Sequence, residues 1–83
     1  MEKQKHKATV DGLIEVLTRI KEKCGGGTYV QVNVFGHECT TGLTSVCLDN
    51  NEGNDSAIVY LETDTEQNPY PTTFEFYTQG EEL

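Results

Sequence analysis

Apolar residues recur at helical spacing over the first third of the chain and at strand spacing after it. Val10, Leu13, Ile14, Val16, Leu17, Ile20 and Cys24 follow a 3.6-residue period, whereas Val30, Val32 and Val34 alternate with Tyr29, Gln31, Asn33 and Phe35. The pattern predicts an amphipathic helix that runs through Gly25-Gly26-Gly27 into a first strand over Tyr29 to Phe35. At 100° per residue the apolar stripe spans about 160°, from Val16 through Ile20, Leu13, Cys24, Leu17 and Val10 to Ile14. Thr9 is placed to cap the helix and Asp11 to face the positive end of its dipole. Glu15 and Arg19 are spaced as an i,i+4 pair, and Gly25 supplies the residue that stops the helix. Gly12 is a poor helix former, costing up to about 1 kcal/mol against alanine.

Three further strands are expected, at about Leu43 to Asp49, Ala57 to Glu62 and Thr73 to Tyr77. The first is read as returning antiparallel through the loop Gly36 to Gly42, and the last as a short edge strand. Asn50-Asn51-Glu52-Gly53-Asn54-Asp55 is a turn by composition, and Pro69-Tyr70-Pro71 favours an extended connection. Residues 1–8 read as a frayed polar arm and 79–83 as an acidic tail. The expectation is one domain over 1–83, of α+β class. Its architecture is one N-terminal helix packed on a four-stranded, mainly antiparallel meander in the order α-β-β-β-β.

One helix covers one face of such a sheet. If the valines and Ala57, Val59 and Leu61 take the helix, the other face carries Tyr29, Phe35, Ile58 and Tyr60. A face that apolar marks a contact. The last strand or Tyr70 folds over it, or a partner does; the sequence leaves both open.

Charge adds direction to this picture. All six basic residues lie within the first 23 positions, beside four acids. The sixty residues from Cys24 onward hold ten acids and neither Lys nor Arg. Phosphate contact needs clustered cations, so direct nucleic-acid binding is not expected, and a basic protein surface is the partner that fits the sign. The residues expected to meet it are Tyr29, Phe35, Glu38, Asp49, Glu52, Asp55, Tyr60 and Glu62. The alternative is a small assembly protein that forms homo-oligomers through the uncovered apolar face.

Length and cysteine usage bound the rest. An 83-residue chain buries only roughly 60–65% of its unfolded surface, so modest stability is expected. No apolar run is long enough to span a bilayer, no apolar core follows the basic N-terminus as in a signal peptide, and three cysteines read as free thiols; the expected location is the cytoplasm.

Candidate chemistry is sparse. His37-Glu38-Cys39 with Cys47 and Cys24 supplies zinc-ligand types, but the His-x-Cys spacing is tighter than a structural zinc pair and Cys24 is expected in the core. His37 and Cys39 are too close in sequence for a nucleophile and its base, and no orienting residue is identifiable. His6, in the arm, reads as solvated. Asp49, Asn51, Glu52, Asn54 and Asp55 resemble a calcium loop in composition; counted from Asp49, however, Gly53 falls at position 5 and Tyr60 at position 12, where an EF-hand needs Gly at 6 and Glu at 12. The glycine run follows a helix, at the negative end of its dipole, which is the wrong end for a phosphate loop. The expectation is a non-enzymatic protein with no cofactor and no metal.

Thr9-Val10-x-x-Leu13-Ile14-Glu15-x-Leu17, a glycine break and Tyr29-Val30-x-Val32 together resemble the opening of many small uncharacterised phage and mobile-element proteins. These begin with a short helix and continue as a strand meander. Such proteins often carry an acidic residue where this chain has Gly12. Size, acidity and element order also resemble some phage-encoded inhibitors of bacterial defence, including anti-CRISPR proteins. That resemblance implies occupation of a basic surface on a host protein, with no motif to carry individual residues across.

Overall fold

A computed structural model describes residues 3–35, 42–64 and 71–81. Its elements are β1 (Gln4–Lys7), α1 (Val10–Cys24), β2 (Tyr29–Phe35), β3 (Ser45–Asp49), a short 3-10 turn (Asn54–Ser56), β4 (Ile58–Asp64) and β5 (Thr73–Gln79). The fold is α+β, but the sheet has five strands in the order β1-β5-β3-β4-β2. Pairing is mixed: β1–β5 and β3–β4 are antiparallel, β2–β4 and β3–β5 parallel. The expected four-stranded antiparallel meander is therefore corrected. Only the hairpin of β3 and β4 survives from it, because its turn residues are local. The other neighbours are set by long-range packing that side-chain alternation does not encode.

The helix begins and ends as its sequence dictates. Thr9 accepts a hydrogen bond from the Gly12 N–H at 3.1 Å, and Gly25, at φ 96°, donates its N–H to the Lys21 carbonyl at 2.8 Å. Glu15 and Arg19 do not pair with each other. Arg19 Nη1 donates to Gln4 Oε1 at 2.7 Å and its guanidinium lies over the Phe76 ring, while Glu15 Oε2 comes within 4.0 Å of His6 Nδ1.

Those contacts explain the element that the sequence conceals. Gln4-Lys5-His6-Lys7 contains no aliphatic residue, yet it is a strand on β5 rather than a frayed arm. The His6 ring stacks on Phe74 with centroids 5.5 Å apart, so His6 is packed rather than solvated. Ala8 N–H then bonds the Thr72 carbonyl and turns the chain directly into α1.

Gly12 belongs to the same junction. A methyl group built on it would collide with the Lys7 carbonyl oxygen, so the helix can lie this close to β1 only without a side chain there. Gly12→Ala should therefore lower stability by about 1–3 kcal/mol, the usual cost of overpacking, despite its better helix propensity. Urea unfolding measures this; an unchanged or raised midpoint would mean that the junction relaxes freely.

The core is the cluster of Val16, Ile20, Val46, Leu48, Ala57, Val59, Phe74 and Phe76. It lies between α1 and the strands β5, β3 and β4. A helix is about 10–12 Å across and strands are spaced about 4.8 Å, so one helix shields two or three strands and leaves the rest of a five-stranded sheet bare. The bare strand is β2. Val30, Val32 and Val34 share the helix side with Val59 and Leu61 by register, but they remain 53%, 61% and 59% exposed. Val10 and Ile14, at the rim of the helix stripe, are exposed as well. The expectation that the helix takes the valine face is corrected for this reason: the parity was right and the reach of the helix was not.

Strand β5, expected at an edge, lies inside the sheet between β1 and β3. Phe74, Phe76 and Thr78 alternate as its buried residues. Beyond it the start of the acidic tail is tied down. Asn50, itself buried, donates its backbone N–H to the Gln79 carbonyl at 3.0 Å and its side-chain amide to the Glu81 carbonyl at 2.7 Å. Lys23 Nζ also reaches Glu81 Oε1 at 3.3 Å.

Candidate functional site

On the side of the sheet away from α1, strand register sets residues in rows. Gln31, Tyr60, Cys47 and Tyr77 form one row across β2, β4, β3 and β5. Asn33, Glu62, Ser45 and Glu75 form the next, and Lys5 extends it at β1. Tyr29, Ile58, Asp49 and Gln79 form the row on the other side. Tyrosines and carboxylates are thus interleaved on one side of the sheet, where Tyr60, Glu62, Glu75 and Tyr77 are half-buried. The side chains of Glu62 and Glu75 stand two strand spacings apart, about 10 Å.

Hydrogen bonding fixes the middle of this face. The Tyr77 hydroxyl donates to Glu62 Oε1 at 2.7 Å. Cys47 is buried beneath the row, and burial pushes its thiol up to about 11, against a smaller lowering by a hydrogen bond with Tyr77. Burial likewise raises the Tyr77 phenol, and its bond to Glu62 raises it further. Both groups are protonated at neutral pH, so Cys47 is not activated as a nucleophile. The Cys24 thiol is also raised, chiefly by burial.

A cation of the chain itself already sits on this face. Lys3 Nζ is 3.4 Å from Glu75 Oε2 and 5.2 Å from the centre of the Tyr77 ring. An exposed ion pair of this kind contributes about 0–1 kcal/mol and the ring contact about 0.5–1 kcal/mol, so the arrangement is weak enough to be exchanged. Lys3, just ahead of β1, therefore borders the acids. The acidic field is diluted along this one margin and undiluted toward β4.

The sequence-predicted residues divide as follows. Tyr29, Asp49, Tyr60 and Glu62 lie on the outer side of the sheet, and Tyr29, 79% exposed, is the most exposed large hydrophobic side chain among the described residues. Asp49 and Glu52 line a shallow depression with Asn51, Ser56 and Ile58. There Asp49 Oδ1 accepts from both the backbone and the side-chain N–H of Asn51 at 3.2 Å, closing the turn. Asp55 is exposed on the 3-10 turn and does not line that depression. Phe35 ends β2 in register with Asp64. Glu38 lies outside the described residues, as do His37, Cys39, Pro69 and Tyr70.

Glu75, Tyr77 and Lys3 are members of the face that the sequence reading passed over. The signal was present in Thr73-Phe74-Glu75-Phe76-Tyr77, whose alternation puts both phenylalanines on one side and Glu75 with Tyr77 on the other. Among the described residues, no group of three His, Cys, Asp or Glu side chains is placed to hold a metal ion, and no helix is long and apolar enough to cross a membrane.

Comparison with protein families, curated proteins and solved structures returns no match. The functional reading of this face accordingly rests on its geometry and charge.

Proposed function

We propose that this protein is a non-enzymatic, acidic protein-binding module whose outer sheet face engages a basic surface on a partner. One concrete form is a phage-type inhibitor that occupies the nucleic-acid-binding surface of a host protein. The observation that carries the reading is the seating of Lys3 between Glu75 and Tyr77, in line with Glu62 and Tyr60. A lysine or arginine from a partner would find a carboxylate and a ring again on β4, at Glu62 and Tyr60. The formal net charge of −8 supplies long-range attraction of the same sign. It also opposes direct binding of a polyanion.

The test is calorimetric titration with a lysine- and arginine-rich peptide at several salt concentrations. Affinity should fall at least about tenfold between about 50 and 500 mM salt, as the Debye length shrinks from roughly 14 to 4 Å. Affinity that does not change with salt would sink the electrostatic reading.

A further inference from the structure

Three of the chain's six basic residues stand at alternate positions, Lys3, Lys5 and Lys7. Antiparallel pairing with β5 sets Lys5 opposite Glu75 and Lys7 opposite Thr73, and the same register carried one step past Gln4 sets Lys3 opposite Tyr77. Gln4 and His6, between the lysines, turn the other way, to Arg19 and Phe74. The N-terminal strand therefore brings an alternating row of lysines to the margin of the acidic face. In sign and spacing it has the chemistry of the basic partner that this face suits.

Lys3 is the member of the row that reaches the face. Its Nζ lies 3.4 Å from Glu75 Oε2 and 5.2 Å from the centre of the Tyr77 ring. Strand β1 is docked without it, by the ladder of Gln4–Lys7 on β5, the His6 ring on Phe74 and the Arg19 hydrogen bond to Gln4. The Lys3 side chain itself is 61% exposed. The docked strand thus holds this ammonium beside Glu75 and Tyr77 at an effective concentration on the order of millimolar, whereas a partner's cation arrives from free solution. On β4 the situation differs. Among the described residues, no cation of the chain is placed against Glu62 or Tyr60.

We propose that Lys3 is an intramolecular competitor, a resident cation that closes the β5 half of the outer face to a basic partner and leaves the β4 half open. This competition presupposes that the outer face is a basic-partner surface, and it regulates that same site. A partner's lysine or arginine gains Glu75 and Tyr77 only in the fraction of molecules from which Lys3 has swung away, and its apparent affinity is lowered by that fraction. An exposed ion pair and an exposed ring contact together correspond to a seated-to-vacant ratio of about three to ten. Removing the charge at Lys3 should tighten binding by about the same factor.

Calorimetric titration of the full chain with a lysine- and arginine-rich peptide, at about 50 mM salt, tests this on the parent and three variants. Lys3→Gln should bind about three- to tenfold more tightly than the parent. Lys3→Arg keeps a cation over the ring and should stay within about twofold of it. Lys7→Gln is the charge control. Like Lys3→Gln it removes one positive charge from a chain of net charge −8, but it lies four residues along, about 13 Å from Lys3, and should tighten binding less than about twofold. Hydrogen exchange of the β1 amides should be the same in Lys3→Gln as in the parent, because the strand keeps its ladder and the His6 stack. A parent that binds the peptide, with Lys3→Gln no tighter than Lys7→Gln, overturns the competition and leaves the outer-face reading standing. Tightening by Lys3→Arg equal to that by Lys3→Gln overturns it as well, since the seated cation would then be irrelevant. No binding by the parent or any variant removes the competition and the outer-face reading together.

Discussion

Truncating Phe74 to alanine should destabilise the fold by about 3–5 kcal/mol, the cost of removing a fully buried aromatic ring, against a total of about 5–15 kcal/mol for a domain. Phe74 is 1% exposed and belongs to the core formed with Val16, Ile20, Val46 and Leu48. It also supplies the surface on which the His6 ring stacks, and so holds β1 to the sheet. The loss should therefore appear twice: as a lower midpoint in urea, and as loss of exchange protection in Gln4–Lys7 before the remaining strands open. A variant that lost less than about 1 kcal/mol would mean that the core collapses around the gap. One that kept β1 protected would mean that Arg19, Gln4 and the backbone ladder hold the strand without the ring.

The second large effect concerns binding. Replacing Glu52 and Glu62 together by lysine should weaken capture of a lysine- and arginine-rich peptide at least about hundredfold, because like charges brought together across an interface cost several kcal/mol. Glu52 is exposed beside Asp49, and Glu62 holds the Tyr77 hydroxyl at the centre of the outer face. Circular dichroism of the double variant separates a lost interface from a lost fold. As a comparison, Glu22→Lys alters an exposed helix residue away from that face and should leave capture within about twofold, as expected of a distant surface charge. Equal losses of binding free energy per charge reversed would make the attraction a property of net charge alone.

The parts of the fold that were legible in the sequence are those decided by neighbours along the chain. Thr9 caps α1 and Gly25 ends it. Tyr29–Phe35 is a strand with the expected alternation, and the turn after Asp49 makes a hairpin. The parts that were not legible depend on which surfaces meet. Gln4–Lys7 has no apolar pattern, and becomes a strand because the Phe74 and Phe76 side presents rings to His6 and, through Arg19, holds Gln4. The placement of β2 beside β4 in parallel, with β1 at the far edge, follows from α1 crossing over the sheet between them.

The candidate site was partly legible for the same reason. Parity alone put Tyr29 and Tyr60 on one side, and charge counting pointed to Asp49 and Glu62. Neither could bring in Lys3, because it joins the face only through β1. The valines were read correctly as one face and wrongly as a covered one, since periodicity reports direction and not the width of what lies above.

The most direct test of the central claim is a heteronuclear NMR titration of the protein with a lysine- and arginine-rich peptide. Binding at the outer face predicts shifts in Tyr29, Asp49, Tyr60, Glu62, Glu75 and Tyr77, with release of Lys3 from Tyr77 as peptide is added. Shifts confined to α1, or none at peptide concentrations that saturate other acidic proteins, would contradict it.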